Sequence, residues 1–144
     1  MNPAQRKINT ATSTLWLIVI LTIVNSFTMF GGTYFLFSAF LPQIFIGLAV
    51  EYPSLTMNMI ILSFVYIFPY LLSAIFAKKK KGWLIFAYIL FVIDSTLFIL
   101  GFMVGVLQGD YSLILDLVVR VYALVTLKMG ITGFKELKNN ANKK

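Results

Sequence analysis

Three ionisable side chains stand inside long apolar stretches of this sequence, where a charge is costly unless it has a partner. Asp94 lies in the stretch ILFVIDSTLFIL, and Asp116 and Arg120 lie in SLILDLVVRVYALVTL. Their spacing puts Asp116 and Arg120 one turn apart on the same face of a helix, where they can form an ion pair. Ionisable residues in such surroundings pair with one another or line a pathway for protons or ions.

Arg120 is also expected to reach Asp94. If the two stretches form antiparallel helices in a bilayer, the helical rise places Asp94 about 16 Å from one surface and Arg120 about 14 Å from the other. These depths are similar. The linker QGDY between the stretches is short, and a short linker makes consecutive helices neighbours. We therefore predict that Arg120 is held between Asp94 and Asp116.

The charges of this cluster admit three interpretations. A structural ion-pair cluster would fix how the two helices dock. A proton or ion pathway is suggested by the single net negative charge of two acids and one arginine, because an unmatched buried carboxylate takes up a proton or holds a cation. Contact with a ligand or with a helix of a partner protein is the third interpretation.

Small residues accompany the charges. At about 100° per residue, one helical stripe holds Ala87, Asp94, Gly101 and Gly105, and another holds Ser112, Asp116, Arg120, Ala123 and Gly130. Small residues let membrane helices approach closely, and an intramembrane asparagine often bonds across a helix interface. The residues predicted to pack helices together are therefore Gly101, Gly105, Gly130 and Asn25.

Composition assigns the whole chain to the membrane. Of its 144 residues 60% are hydrophobic and only 12% are charged, whereas a soluble domain is about one quarter charged. A soluble protein of this size could not bury so much apolar surface. The chain contains no cysteine and no histidine, which removes thiolate chemistry, the commonest metal ligands and the commonest general base. We therefore expect no enzyme activity, no cofactor and no metal site.

Four spans of bilayer length can be placed in one all-α transmembrane domain, 1–134, which is followed by a polar cytoplasmic tail, 135–144. The spans cover about 13–33, 54–77, 83–107 and 111–134. The first follows Arg6 and Lys7 as a signal peptide would, but no small-residue cleavage site ends it, so it is read as uncleaved. Pro69 is expected to kink the second span.

The segment 34–53 is nearly as apolar as a span. Charge placement argues against a fifth crossing, because that crossing would move Lys78, Lys79, Lys80 and Lys81 to the outside. We interpret the segment as interfacial or re-entrant on the outer face. The alternative is that the first helix simply continues past the membrane to about Leu41.

The net charge of +7 predicts orientation rather than a nucleic-acid partner, because the positive residues cluster at the ends of the spans. Four crossings put both termini and Lys78–Lys81 on one side, with Glu51 and Asp110 on the other. This pattern is typical of a cell-membrane protein whose termini are cytoplasmic. The lysine run is interpreted as a topology determinant or as a contact with lipid headgroups.

These features favour a small non-enzymatic membrane protein with an accessory, regulatory or immunity-type role. Its partners would be the lipid bilayer and either a larger membrane protein or further copies of itself, and it would act through helix–helix contacts. The alternative is a small oligomeric transporter or channel that uses Asp94, Asp116 and Arg120.

Overall fold

The chain folds into five α-helices. The structure is a computed structural model, and it describes residues 2–29, 38–107 and 113–142. Its helices are α1 (Pro3–Thr28), α2 (Phe40–Glu51), α3 (Thr56–Phe76), α4 (Lys81–Leu107) and α5 (Ile114–Ala141). The predicted all-α class is confirmed. The described residues leave out 30–37, 108–112 and the last two. These fall in the predicted first span, outer segment, fourth span and tail.

Three stretches within the described ranges are long and apolar enough to cross a membrane, namely Pro3–Thr28, Pro53–Phe76 and Lys81–Val104. The surface fits this reading, because large apolar side chains such as Leu100 and Val65 are exposed while Asp94 and Ser95 are buried. An apolar exterior around a polar interior is the arrangement that lipid favours. The fold, with three helices long and apolar enough to span, is thus compatible with a helical membrane protein.

The first and last helices pack closely against each other. A Cβ atom added at Gly130 would lie 2.4 Å from the Cβ of Ala11, and one added at Gly133 would lie 2.6 Å from the carbonyl oxygen of Ala4. Glycine is therefore required at both positions for this approach. Because Ala4 faces Gly133 and Ala11 faces Gly130, α1 and α5 are antiparallel, and Gly130 packs helices together as the sequence predicts.

One end of the bundle carries most of the positive charge. It holds the start of α1, the α3–α4 connection with Lys78–Lys81, and the end of α5, and we call it the basic end. Leu84, in the first turn of α4, lies against the Gly130 position of α5. Lys7 Nζ lies 2.5 Å from Glu136 Oε1. Residues 135–141, assigned above to the polar tail, continue α5 as a helix.

The segment before α3 corrects one sequence-based alternative. A first helix continuing to Leu41 is wrong, because α1 ends at Thr28 and Ala39 has an extended backbone with φ −64° and ψ 134°. A separate helix, α2, begins at Phe40. Pro42 lies in its first turn, where a missing N–H breaks no intrahelical bond. A 3₁₀ turn, Pro53–Leu55, then joins α2 to α3, and α3 runs through Pro69 without ending.

Candidate functional site

Asp94 is the middle residue of α4 and is 0% exposed to solvent. Its carboxylate accepts hydrogen bonds from two backbone N–H groups at the start of α2. The N–H of Phe40 lies 2.8 Å from Oδ2 and 3.0 Å from Oδ1, and the N–H of Leu41 lies 3.0 Å from Oδ1. A third donor is Nη1 of Arg120, 2.9 Å from Oδ2. The charge of Asp94 is thus met from two directions.

The contact between Asp94 and α2 is a helix cap supplied by a distant residue. The first N–H groups of a helix have no partner within it, and Ala39, which precedes α2, makes no side-chain cap bond. A carboxylate placed there satisfies these donors and interacts favourably with the positive end of the helix dipole. Asp94 therefore plays the part of an N-cap residue for a helix more than fifty positions earlier in the chain.

Arg120 is 1% exposed, and its guanidinium bonds on several sides. Besides Asp94, Nη2 donates to the carbonyl oxygen of Ser38 at 2.7 Å, and Nε lies 3.5 Å from Asp116 Oδ2. The guanidinium carbon also lies 4.2 Å from the centre of the Phe98 ring, a distance at which cation and π-electrons attract each other. Both expected ion pairs of Arg120 are present, and the pair with Asp94 is the shorter.

Asp116 contributes to the charge balance of this cluster through its position at the start of α5 as well as through its contact with Arg120. It lies in the first turn of α5 and is 3% exposed. A negative charge there is favourable because the helix dipole is positive at that end. The dipoles of α2 and α5 therefore compensate part of the net negative charge that the sequence leaves on this cluster.

Side chains of α1 hold the residues that precede α2. Asn25 Nδ2 donates to Ser38 Oγ at 2.9 Å, and the N–H of Ala39 donates to Thr22 Oγ1 at 2.9 Å. Gln43 also donates to Ser38 Oγ. Asn25 thus bonds between elements, as predicted, but its partner is the short extended segment at Ser38 rather than another spanning helix.

The predicted small stripe of α4 faces a different neighbour from the one expected. A Cβ atom on Gly101 would lie 3.1 Å from Cζ of Phe40, so this part of α4 receives the first residue of α2. The Phe40 ring also meets Phe98 edge-on, with centroids 5.4 Å apart. Gly105 belongs to α4, but its surroundings lie outside the described part of the chain.

The lysine run does not join this cluster. Lys78, Lys79 and Lys80 are exposed at the basic end, and Lys81 is half-buried where α4 begins. The structure therefore separates the predicted site residues into a buried charge cluster, a set of helix contacts and a surface run.

The amides of Phe40 and Leu41 and the carbonyl of Ser38 are the partners that the sequence did not reveal. Backbone groups carry no residue-type signal. The available hint was the apolar segment 34–53, for which charge placement argued against a membrane crossing.

The arrangement is better suited to holding helices together than to catalysis. Its three charged side chains are nearly inaccessible, and each has partners. Within the described ranges no group of three or more acidic, histidine or cysteine side chains could hold a metal ion. Comparison with protein-family models, curated proteins and solved structures found no match to this chain.

Proposed function

We propose that this chain is a cell-membrane protein with four spans and one re-entrant helix. α1, α3 and α4 are three of the spans, and α5 is the fourth. α5 supports this reading because apolar side chains such as Val118, Val121 and Val125 are exposed along it. Of its charged residues in the apolar part, Asp116 and Arg120 are buried, and Lys128 lies nearer the basic end, from which it can reach the headgroups.

α2 fits the re-entrant position. It begins against Asp94, halfway along α4, and ends at Glu51, close to where α3 begins. Twelve residues of helix extend about 18 Å, roughly half the thickness of a bilayer with its headgroups. The helix would therefore run from the bilayer centre to the face opposite the basic end. Non-helical backbone at that depth, as at Ala39, is tolerated only where protein surrounds it.

The orientation we propose places the basic end in the cytoplasm. The starts of α1 and α4 and the end of α5 meet there, and with them most of the positive charge of the chain. Glu51 lies at the other end. Lysine and arginine are retained on the cytoplasmic side of membrane proteins, so both termini would be cytoplasmic.

We propose an accessory or regulatory role that is carried out through helix–helix contacts and without catalysis. The observation that carries this proposal is the enclosure of Asp94, which is 0% exposed and bonded to Phe40, Leu41 and Arg120. A charge bound this tightly fixes the fold. The lateral apolar faces then remain as the surfaces through which the protein would act, on a larger membrane protein or on another copy.

A second candidate is a transporter or channel. It is favoured by the half-length helix that starts at the bilayer centre, an arrangement that transporters use to bind ions or substrates. The hydroxyls of Tyr66, Tyr70, Ser73 and Ser95 are also buried without a hydrogen-bond partner among the described residues, and polar groups in a membrane interior can line a pathway.

Two measurements separate these candidates. Purified protein in liposomes can be given a proton or potassium gradient and followed with a dye. The accessory proposal predicts decay equal to that of protein-free liposomes and of liposomes with Asp94→Asn. Decay that is faster for the native chain alone would support transport instead.

The accessory role also predicts a defined neighbour. A photo-crosslinking side chain at exposed Leu100 or Met103 of α4 should give one protein adduct in native membranes. The same group at Ile61 of α3, which is similarly exposed, tests a second apolar face. Adducts to lipid alone from every exposed position would contradict a role through helix contacts.

A further inference from the structure

An apolar groove lies between α3 and α4 at the basic end. A cavity of about 590 Å³ there is lined by Pro69, Leu72, Lys80, Gly82, Trp83 and Phe86. A second cavity of about 310 Å³ is lined by Phe45, Leu62, Val65, Tyr66, Pro69 and Leu90. Pro69 lines both cavities, which therefore lie next to each other along these helices, and we call the two together the groove. Their lining on α3 runs from Leu72 to Leu62, which is about 15 Å of helix and matches one leaflet of a hydrocarbon core of about 30 Å.

Positive charge gathers at only one end of this groove. Lys80 lines it directly, and Lys78, Lys79 and Lys81 flank that residue in the chain. The ion pairs among the described residues involve Lys7 and Arg120 and leave this lysine run unneutralised. The α4 helix also begins here, and the positive end of its dipole adds to the lysine charges.

Gly82 leaves the mouth of the groove open. No heavy atom lies within 4 Å of where its Cβ would be. Trp83 stands beside it, with its ring 5.4 Å from that of Phe76 and 6.2 Å from that of Phe86. Tryptophan is enriched at the level of lipid headgroups. The groove thus combines a cationic mouth, an aromatic side wall and an apolar floor, in the order in which a phospholipid presents its chemistry.

We propose that this groove binds one anionic phospholipid, with its phosphate at Lys80 and an acyl chain against Leu72, Phe86 and Pro69. The occupant is a lipid rather than a free anion, because the groove behind the lysines is apolar over its whole length. The inference rests on the proposed membrane arrangement, which puts the basic end at the headgroups. A bound anionic lipid would brace α3 against α4 where Lys78–Lys81 repel one another.

The two tryptophans of the chain provide the test. Trp83 lines the groove, whereas Trp16 lies on α1 and is 37% exposed. Trp16→Phe leaves Trp83 as the reporter, and Trp83→Phe leaves Trp16 as the control. Each variant is placed in phosphatidylcholine bilayers that contain rising fractions of phosphatidylglycerol with brominated acyl chains, which quench tryptophan on contact. Quenching of Trp83 should saturate at a several-fold lower fraction than that of Trp16, which should follow the bulk composition.

Variants in the Trp16→Phe background separate a site from general attraction. Lys80→Gln should weaken the preference about five-fold, the effect of one lysine near an anionic surface. Lys135→Gln with Lys138→Gln removes more charge from the same end of the bundle but away from the groove. This double variant should change the preference by less. Gly82→Leu keeps every charge but fills the mouth, and it should abolish the preference. Phosphatidylcholine brominated in the same way should show none.

Several results would overturn the lipid site. One is equal quenching of Trp83 by the two brominated lipids at equal fractions. Another is a Lys135 and Lys138 variant that loses as much preference as Lys80→Gln. A third is reversal of the quenching by millimolar inorganic phosphate, which would assign the lysines to a soluble anion. If neither tryptophan is quenched by any brominated lipid, the chain is outside the bilayer, and the membrane arrangement itself fails together with the site.

Discussion

The backbone N–H of Phe40 lies 2.8 Å from Oδ2 of Asp94, although the two residues are 54 positions apart in the chain. This bond joins the start of a half-length helix to the midpoint of a full-length one. The same oxygen accepts from Arg120, so α2, α4 and α5 meet at one carboxylate. The position and the angle of α2 therefore depend on Asp94, which lies in α4 and not in α2 or in the helices next to α2 in the sequence.

Arg120→Ala should lower stability strongly. Breaking a buried ion pair by removing one partner costs about 3–5 kcal/mol, because the remaining charge stays buried. Unfolding of the purified protein in mixed detergent micelles measures the change. Adding Asp94→Asn should recover part of the loss, since direct partners are not additive. Lys128→Ala, on the same helix but about two turns beyond Arg120, is the control. Additive losses would show that Asp94 and Arg120 do not interact.

Exchanging the two charges should fail to restore stability. Asp94→Arg with Arg120→Asp rebuilds an ion pair of the opposite sense, but it places a cation against the N-terminal amides of Phe40 and Leu41. Helix dipoles disfavour positive charge there. The exchanged protein should therefore be no more stable than Arg120→Ala in the same unfolding assay. A recovery to near the native value would mean that the amides of α2 contribute little and that the ion pair alone matters.

Alanine at Gly130 or Gly133 should separate α1 from α5. The added methyl would meet Ala11 at 2.4 Å or the Ala4 carbonyl at 2.6 Å, and overpacking of this kind costs about 1–3 kcal/mol. Gly82→Ala is the matched control, because its methyl meets no atom within 4 Å and alanine favours helix. Thermal unfolding in detergent should rank the two α5 variants well below the control. Equal midpoints for all three would contradict the close helix contact.

Introduced cysteines can test the topology without background, because the chain has none. A membrane-impermeant thiol reagent applied to intact cells should label Glu51→Cys. Lys80→Cys and Asn2→Cys should react only after the cells are opened. Ala87→Cys, at a buried position of α4, should react in neither case and controls for labelling that does not depend on exposure. Labelling of Lys80→Cys from outside would exclude the four-span arrangement.

Depth and helical face were enough to predict the pairing of Arg120 with Asp94 and Asp116. They follow from the geometry of the helix and from the charge asymmetry that sets the direction of each span. The packing role of Gly130 followed in the same way from its position on the Arg120 stripe. These are properties of single helices, which a sequence pattern specifies directly.

The role of α2 could not be derived in this way. The segment around Phe40 and Pro42 is apolar throughout, so no period distinguishes an interfacial helix from a re-entrant one. Its bonds to Asp94 use backbone amides, and Gly101 faces Phe40 because α2 packs against α4 from a distant position in the chain. Such contacts depend on tertiary arrangement, which the stripe on α4 alone does not encode.

The order in which the chain is made gives the cap on Asp94 a further consequence. Synthesis proceeds from the N-terminus, so α2 and α4 leave the ribosome before α5 does. During that interval the amides of Phe40 and Leu41 can already neutralise part of the Asp94 charge within the nascent chain. The helix that carries Arg120 then packs against a carboxylate that is already oriented. The half-length helix thus acts as an early counter-charge for Asp94, and Arg120 adds a second one when α5 emerges.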